Sequence, residues 1–164
     1  MYLRVKHFIW GDNSDKKKEE IKRIFPVFAT LDPTHVEFEL GYWRKANQIH
    51  KWFVDNVQGG TDDCGTYPVS AEQLQQLRDL CIAALDLHEA GKDEEGSELI
   101  PPTEGFFFGG TAIDDYYWED LKHTVEVINQ IEFDVKDPAK KLVDKIQGAK
   151  IPVDECEFEY HSSW

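Results

Sequence analysis

The chain has few cysteines, and none of them follows a disulfide or metal-binding pattern. Its 164 residues include only Cys64, Cys81 and Cys156, which lie far apart and form no Cys-x-x-Cys pair. An odd, sparse count argues against a disulfide framework and against a thiolate zinc site. We therefore expect reduced thiols, with Cys81 in the core. A catalytic role for Cys64 stays open, although the sequence identifies no base beside it.

Long apolar runs are also missing. No stretch approaches the roughly 20 residues that a membrane-spanning helix requires. Arg4, Lys6 and His7 interrupt the apolar residues at the start of the chain, which is not typical of a secretory signal. Together with reduced thiols, this predicts a cytoplasmic protein without a membrane partner.

The established catalytic and cofactor motifs are absent as well. The sequence contains no P-loop, dinucleotide fingerprint, EF-hand, His-Glu-x-x-His or Gly-x-Ser-x-Gly pattern. We therefore assign no catalytic residue, metal ligand or cofactor, and a binding role is favoured over an enzymatic one. The aspartates Asp62, Asp63, Asp114 and Asp115 are oxygen donors of the kind that Mg²⁺ or Ca²⁺ prefers, and their role is left open.

Cations are scarce beyond the first third of the chain. Residues 1–58 hold ten Lys/Arg and eight Asp/Glu, a net charge of +2, whereas residues 59–164 hold eight and twenty-four, a net charge of −16. Such an acidic surface repels the phosphate backbone. Long nucleic acid is therefore excluded as a partner, but a small anion in a local positive pocket is not.

Length and periodicity predict one α+β domain over residues 1–164. Helical spacing of apolar residues predicts three main helices near residues 41–57, 71–88 and 112–131. We expect them to pack on a small, mostly antiparallel sheet that includes residues 106–108 and 158–160, where glycines or alternation mark strands.

Shorter segments complete the expected fold. Residues 15–25 predict a short helix with Ile21, Ile24 and Phe25 on one face, and Thr111 is the expected cap of the third main helix. Residues 36–40 fit either a strand or the first turns of a helix. The acidic residues 92–98 predict a solvent loop, and a short basic helix is expected from Asp137-Pro138 to Gly148.

The most informative stretch for function is residues 41–53, where aromatic, cationic and amide side chains alternate. Trp43 and His50 fall on the apolar arc of the expected helix with Asn47 at its boundary, whereas Arg44, Gln48 and Lys51 fall on the opposite arc. Aromatic rings stack on bases, and guanidinium groups pair with phosphate. We therefore predict a ligand site lined by Tyr42, Trp43, Arg44, Asn47, His50, Tyr117 and Trp164. The alternative is that the aromatic residues are core and the cations are solvated.

Four blocks together resemble a family of small bacteriophage and prophage proteins of unassigned function. They are Gly-Tyr-Trp-Arg-Lys-Ala-Asn-x-Ile-His-x-Trp-Phe from Gly41, Asp62-Asp63-Cys64, Gly105–Gly109 with Tyr116-Tyr117-Trp118, and the ending Phe158–Trp164. The blocks cover roughly a third of the chain. The resemblance implies a phage accessory protein acting in the cytosol of a bacterial host, and it assigns no catalytic residues.

Three functions are compatible with these observations. The first is a module that binds and sequesters a small nucleotide-derived signal, without turnover, to antagonise host defence. The second is an acidic protein–protein inhibitor of a host protein that imitates nucleic acid through its acidic residues. The third is a hydrolase assisted by a metal or by His50. Whether the protein forms a homo-oligomer is left open.

Overall fold

A computed structural model of the chain describes residues 1–11, 13–104, 110–133 and 150–163. The α+β class is confirmed: these residues form helices and a mainly antiparallel sheet. In chain order the elements are β1 (Tyr2–Phe8), α1 (Ser14–Ile24), β2 (His35–Tyr42), α2 (Asn47–Asn56), β3 (Thr66–Val69), α3 (Ala71–Glu89), α4 (Asp93–Leu99), α5 (Asp115–Ile128), β4 (Ile131–Glu132), β5 (Ile151–Pro152) and β6 (Cys156–His161). Short 3-10 turns occupy Pro26–Phe28 and Val153–Glu155.

The main sheet has the strand order β2-β1-β6-β3, and all its pairs are antiparallel. Leu3 and Val5 lie opposite Tyr160 and Phe158, and all four are buried on the face that meets the helices. The opposite face is polar, where Lys6 pairs with Glu159 at 2.7 Å. This alternation places the core on one side of the sheet. A separate parallel pair joins β4 to β5.

Two of the three expected helices match their predicted positions. Helix α3 begins with a capping box, in which Ser70 accepts from the Gln73 amide and Gln73 accepts from the Ser70 amide. Helix α5 buries a stripe of residues at helical spacing: Tyr117, Leu121, Thr124 and Ile128. Its cap is Asp114 and not Thr111, because the Asp114 carboxylate accepts from the Tyr117 amide at 3.1 Å. No described helix is both long and apolar enough to cross a bilayer.

The prediction of a helix from residue 41 was wrong at its start. Gly41 and Tyr42 belong to β2, opposite Leu3 and Tyr2 of β1, and α2 begins only at Asn47. A Cβ on Gly41 would come within 2.6 Å of Val127 Cγ1, so glycine lets α5 pack closely on this strand. The strand assignment for residues 36–40 is the correct one of the two alternatives.

Helix α2 is buried on most of its surface, contrary to the amphipathic pattern expected. Gln48 was expected on the arc opposite the apolar one, but it is buried, and so is Trp52. The Phe53 ring stacks on Tyr160 of β6 with centroids 3.9 Å apart, while Gln48 contacts α5. Because α2 has neighbours on opposite sides, a single apolar arc does not describe its environment.

Helix α1 follows the prediction in extent but not in packing. None of its residues is buried, and Ile24 and Phe25 are exposed. It connects β1 to β2 and contributes no residue to the core. The strand over residues 158–160 is confirmed within β6. The expected strand at residues 106–108 and the expected basic helix from Asp137 to Gly148 lie outside the described residues.

The solvent loop expected at residues 92–98 is wrong, because Asp93–Leu99 forms α4 against α3. The three acidic residues of its first turn complement the helix dipole. Gly96 makes the close approach to α3 feasible: a Cβ there would lie 2.8 Å from the Ala84 carbonyl oxygen and 3.2 Å from Trp118 Cη2.

Replacement of Gly96 with alanine is therefore expected to destabilise the protein by about 1–3 kcal/mol, the usual cost of overpacking. Denaturant unfolding measures this loss, with the exposed Glu98→Ala on the same helix as the control. Equal stability of the two variants would contradict the close packing of α4.

Candidate functional site

The turn between β2 and α2 exposes two cations between two buried residues. Trp43 and Ala46 are buried and the intervening Arg44 and Lys45 are exposed. The Trp43 indole N–H donates to Thr124 Oγ1 at 2.9 Å, and the Trp43 amide donates to the Met1 carbonyl. These anchors hold the turn rigidly enough to present Arg44 and Lys45 in defined positions.

Lys45 adopts a left-handed backbone conformation with φ of 65°, the one positive φ of a non-glycine residue in the described part of the chain. Such a conformation costs on the order of 1–3 kcal/mol and is concentrated at functional sites. Lys45 lies between the end of β2 at Tyr42 and the start of α2 at Asn47.

A cavity of about 310 Å³ opens beside this turn, between the start of α2 and the start of α5. Its walls combine cations, amides, carboxylates and tyrosines. The lining residues are Arg44, Lys45, Asn47, Gln48, Pro102, Gly110, Ala112, Asp114, Tyr116, Tyr117 and Asp120. The volume lies at the lower end of the range for small-molecule sites.

Asn47 fixes the wall of the cavity. Its side-chain amide donates to the Gly110 carbonyl at 3.0 Å, and its carbonyl oxygen accepts from the Thr103 amide at 3.2 Å. Both functional groups thus hold backbone from another part of the chain. Asn47 therefore positions the cavity, whatever further contact it makes with a ligand.

Asp120 and Gln48 form the polar floor. The Gln48 side-chain amide donates to Asp120 Oδ2 at 3.2 Å and to the Tyr117 carbonyl at 3.5 Å. Burial raises the pKa of the Asp120 carboxyl, and Asp114 adds to this, although Gln48 and His123 act in the other direction. A half-buried carboxylate of this kind accepts strongly from hydroxyl or amino donors of a ligand.

The N-terminus of α2 differs from the other described helix starts. Its cap residue Ala46 offers no side-chain acceptor, and no acidic residue lies in its first turn. By contrast, α3 is capped by Ser70 and α5 by Asp114. Neither the cap residue nor the first turn of α2 therefore compensates the positive end of its dipole, which lies next to Arg44 and Lys45 and favours an anion there.

Of the seven residues predicted to bind a ligand, Arg44, Asn47 and Tyr117 line this cavity. Tyr117 contributes a buried wall: its hydroxyl donates to the Ile100 carbonyl at 2.9 Å, and burial raises its pKa. Tyr42 is half exposed on the sheet and packs on Tyr2, and Trp43 is core. Trp164 lies outside the described residues.

His50 lies away from the cavity, in a buried network with the sheet. Its Nδ1 is 2.6 Å from the Tyr160 hydroxyl, and its Nε2 is 3.0 Å from Asp62 Oδ1. Burial lowers the pKa of His50, although Asp62 opposes this, and burial raises the pKa of Tyr160. Because His50 and Tyr160 are both buried, this network joins α2 to β6.

The sequence did not identify Lys45, Gln48, Tyr116 and Asp120 as ligand residues, although they also line the cavity. Gln48 was expected on the arc of α2 opposite the apolar one, and Asp120 carried no motif. Tyr116 offered a signal, because it lies off the apolar stripe of α5, and it is 80% exposed at the cavity rim. A large aromatic ring so exposed is available for stacking.

The aspartates do not converge on a metal site in the described ranges, where no group of three or more His, Cys, Asp and Glu side chains is suited to hold an ion. Asp63 instead accepts from the Gly65 amide and the Tyr67 hydroxyl, and Asp114 caps α5. Cys81 is buried and Cys64 exposed, and none of the three cysteines forms a disulfide.

Substitution of Asp120 tests whether its ionised carboxylate in the cavity floor destabilises the folded protein. Because its pKa is raised on folding, the folded state holds the Asp120 proton more tightly than the unfolded state. Its stabilising contribution is therefore lost as the pH rises through the folded pKa. We expect Asp120→Asn, which keeps an acceptor for Gln48, to raise the melting temperature at pH 7 by a few degrees.

The advantage of Asp120→Asn should shrink below the ordinary carboxyl pKa of 3.8. Scanning calorimetry at pH 7 and pH 3.5 measures both effects, with Glu119→Gln on the exposed side of α5 as the control. A fall in melting temperature at pH 7 specific to Asp120→Asn would show that the carboxylate stabilises the fold.

Comparisons with protein-family models, with curated proteins and with solved structures found no significant match to this chain.

Proposed function

We propose that the protein binds a small nucleotide-type ligand in the cavity between α2 and α5 and sequesters it without chemical turnover. The observation that carries this proposal is the combination of two cations, an exposed tyrosine ring and a carboxylate–amide floor around one cavity. Each part corresponds to one part of a nucleotide.

Arg44 and Lys45 supply the phosphate contacts, reinforced by the uncapped start of α2. Tyr116 supplies a face on which a base stacks, worth about 1–3 kcal/mol. Asp120 and Gln48 supply acceptor and donor groups for a base edge or for ribose hydroxyls.

The charges also favour one ligand size. The lining holds Arg44 and Lys45 against Asp114 and Asp120, so its formal charges balance when both carboxyls are ionised. A ligand with one phosphate and several donor groups suits this arrangement better than a triphosphate, because extra phosphates would meet the carboxylates. The small volume likewise favours a single nucleotide, cyclic or linear.

The biological setting comes from the resemblance to small bacteriophage proteins. Sequestration of a nucleotide-derived immune signal in the cytosol of a bacterial host would antagonise host defence. Binding without turnover accords with the absence of a recognisable nucleophile–base pair or metal motif from the sequence.

Mass spectrometry of small molecules released by heat from protein purified out of infected or defence-activated bacteria tests this proposal. We expect an intact nucleotide to be retained by the parent protein and depleted from Arg44→Ala. A hydrolysis product in the released fraction, dependent on added Mg²⁺, would favour the hydrolase instead.

A protein–protein inhibitor is the second candidate, favoured by the apolar surface beyond α1. Five large apolar side chains there are exposed, with Val27 at 81%: Ile24, Phe25, Val27, Phe28 and Leu31. Exposed apolar clusters mark interaction sites. The partner that fits is a basic, nucleic-acid-binding host protein, because the net charge of −16 over residues 59–164 would complement it.

In this second case the parent chain would capture a host protein, and raised salt would release it. The Phe28→Asp variant would no longer capture that protein. Light scattering of the purified protein alone separates this from self-association through the same surface. If Phe28→Asp changes neither host-protein capture nor oligomeric state, the apolar surface is not a docking site.

A further inference from the structure

Cys156 and His7 lie side by side on neighbouring strands of the main sheet, and neither lines the cavity between α2 and α5. They are register partners in the antiparallel pairing of β1 with β6, and Cys156 Sγ lies 3.9 Å from His7 Nδ1. Directly opposed residues in such a ladder share a face. The strand register therefore brings thiol and imidazole together on the same face as Val5 and Phe158.

The third member of this group is Lys17 of α1, whose Nζ lies 3.2 Å from His7 Nε2. An ammonium group has donors only, so it donates and Nε2 accepts. In neutral His7 the ring proton must then be on Nδ1, the nitrogen that faces sulfur. The Nδ1–H group and the nearby Lys17 charge both stabilise a thiolate over a thiol.

A cavity of about 420 Å³ adjoins the pair. Its wall is half apolar, formed by Val5, Phe38, Leu40, Ile151 and Pro152, and half polar, formed by His7 and Cys156 with Glu39, Gln130 and Lys150. Phe38 lies opposite Val5 in the sheet but is 62% exposed, so the apolar face of the sheet continues into this opening. Apolar walls with convergent polar groups are typical of small-molecule sites.

We propose that Cys156 is a covalent-modification site for apolar electrophiles, with His7 and Lys17 as positioning residues. For an α,β-unsaturated carbonyl compound, the thiol proton passes to water and the sulfur attacks the β-carbon. The carbon–carbon π pair moves to an enolate, which takes a proton from water. The product is a thioether, and no oxidant or reductant is consumed.

The three cysteines provide internal references for a test. Cys64 is exposed, and Cys81 is buried with its pKa raised by that burial, so Cys81 reports unfolding. Peptide mass spectrometry of the full chain at pH 7 follows each cysteine with N-phenylmaleimide, which is apolar, and with iodoacetamide, which is small and polar. We expect Cys156 to react with N-phenylmaleimide about tenfold faster than Cys64 does, because the Nδ1–H group of His7 favours its thiolate and the apolar side of the cavity favours this reagent.

Substitutions of His7 and Lys17 distinguish activation of the Cys156 thiol by its neighbours from simple exposure of that thiol to solvent. His7→Ala and Lys17→Met should each slow Cys156 by several-fold and leave Cys64 unchanged. Lys18→Met is the matched control, because Lys18 pairs with Asp32 and not with His7. If Cys81 reacts in His7→Ala, that variant has lost its fold, and Lys17→Met then decides the question because helix α1 has no buried residue.

Phe38→Asp should reduce the preference of Cys156 for N-phenylmaleimide over iodoacetamide, because Phe38 lines the cavity. The proposal is overturned if Cys156 reacts no faster than Cys64, or if Lys17→Met and Lys18→Met behave alike. Nucleotide binding between α2 and α5 is measured independently, so failure of either proposal leaves the other standing.

Discussion

Replacement of Arg44 with alanine is expected to weaken nucleotide binding tens-fold or more while leaving the melting temperature unchanged. Arg44 is exposed and lines the cavity, so its guanidinium can reach a phosphate, and its removal leaves no hole in the core. A hydrogen bond to a charged group contributes about 1.5–3 kcal/mol. This corresponds to roughly 10- to 150-fold in the dissociation constant.

Lys51→Ala is the matched control for Arg44→Ala. Lys51 is a cation of the neighbouring helix α2, but it pairs with Asp55 at 2.6 Å and lies outside the cavity lining. It should leave affinity within a few-fold. Isothermal titration of both variants measures the difference in nucleotide affinity. Equal losses of affinity for Arg44→Ala and Lys51→Ala would mean that Arg44 acts only through general electrostatic attraction.

His50→Ala is expected to act through stability and not through affinity. The substitution leaves the Tyr160 hydroxyl buried without its His50 partner and opens a hole between α2 and β6. An unsatisfied buried group costs about 1–3 kcal/mol, and the lost packing adds to that. We therefore expect a loss of about 2–4 kcal/mol in the free energy of unfolding, with ligand affinity of the folded protein within a few-fold of the parent.

The same histidine predicts a loss of stability in acid. Burial lowers the pKa of His50 on folding, so the unfolded state takes up the proton first as the pH falls. Stability should therefore decline from about the ordinary pKa of 6.5 downward. His50→Gln, a neutral hydrogen-bonding replacement, should show a weaker decline. Denaturant unfolding at pH 7.5 and pH 5.5 checks this, and an unchanged pH slope in His50→Gln would contradict it.

Elements with a single buried face were predictable from sequence. Helices α3 and α5 each expose one side, so the spacing of their apolar residues located both of them. Alternation in β6 likewise located a strand, because one of its faces meets the core. In each case the local pattern and the tertiary environment agree.

The prediction failed where tertiary contacts override the local pattern. The spacing of Trp43, Ala46 and His50 fits one continuous helix, but it also fits a strand end followed by a turn and a shorter helix. Only the pairing of Gly41 and Tyr42 with β1 distinguishes these two structures. Lys45 adopts a left-handed backbone conformation, which glycine usually marks, so nothing in the sequence indicated this turn. The packing of α4 on α3 depends on Gly96. From sequence alone, a glycine within an acidic stretch predicts a loop.

The candidate site was only partly predictable for the same reason. Arg44, Asn47 and Tyr117 were identified because cations, amides and aromatics cluster in sequence around residues 41–53 and 116–118. Asp120 and Gln48 meet through the packing of α2 on α5, which no local pattern encodes. His50 was included because a polar residue on an apolar arc suggests a ligand, whereas Tyr160 and Asp62 already occupy both of its ring nitrogens.

Isothermal titration of the parent protein with a panel of cyclic and linear nucleotides tests the sequestration proposal most directly. The chemistry of the cavity predicts that at least one single nucleotide binds at micromolar concentration or tighter and is recovered unchanged from the complex. It also predicts that Tyr116→Ala weakens that binding, since the ring at the rim stacks on the base. If no nucleotide in the panel binds the folded parent protein at micromolar concentration, the sequestration proposal is contradicted and the protein-inhibitor function takes its place.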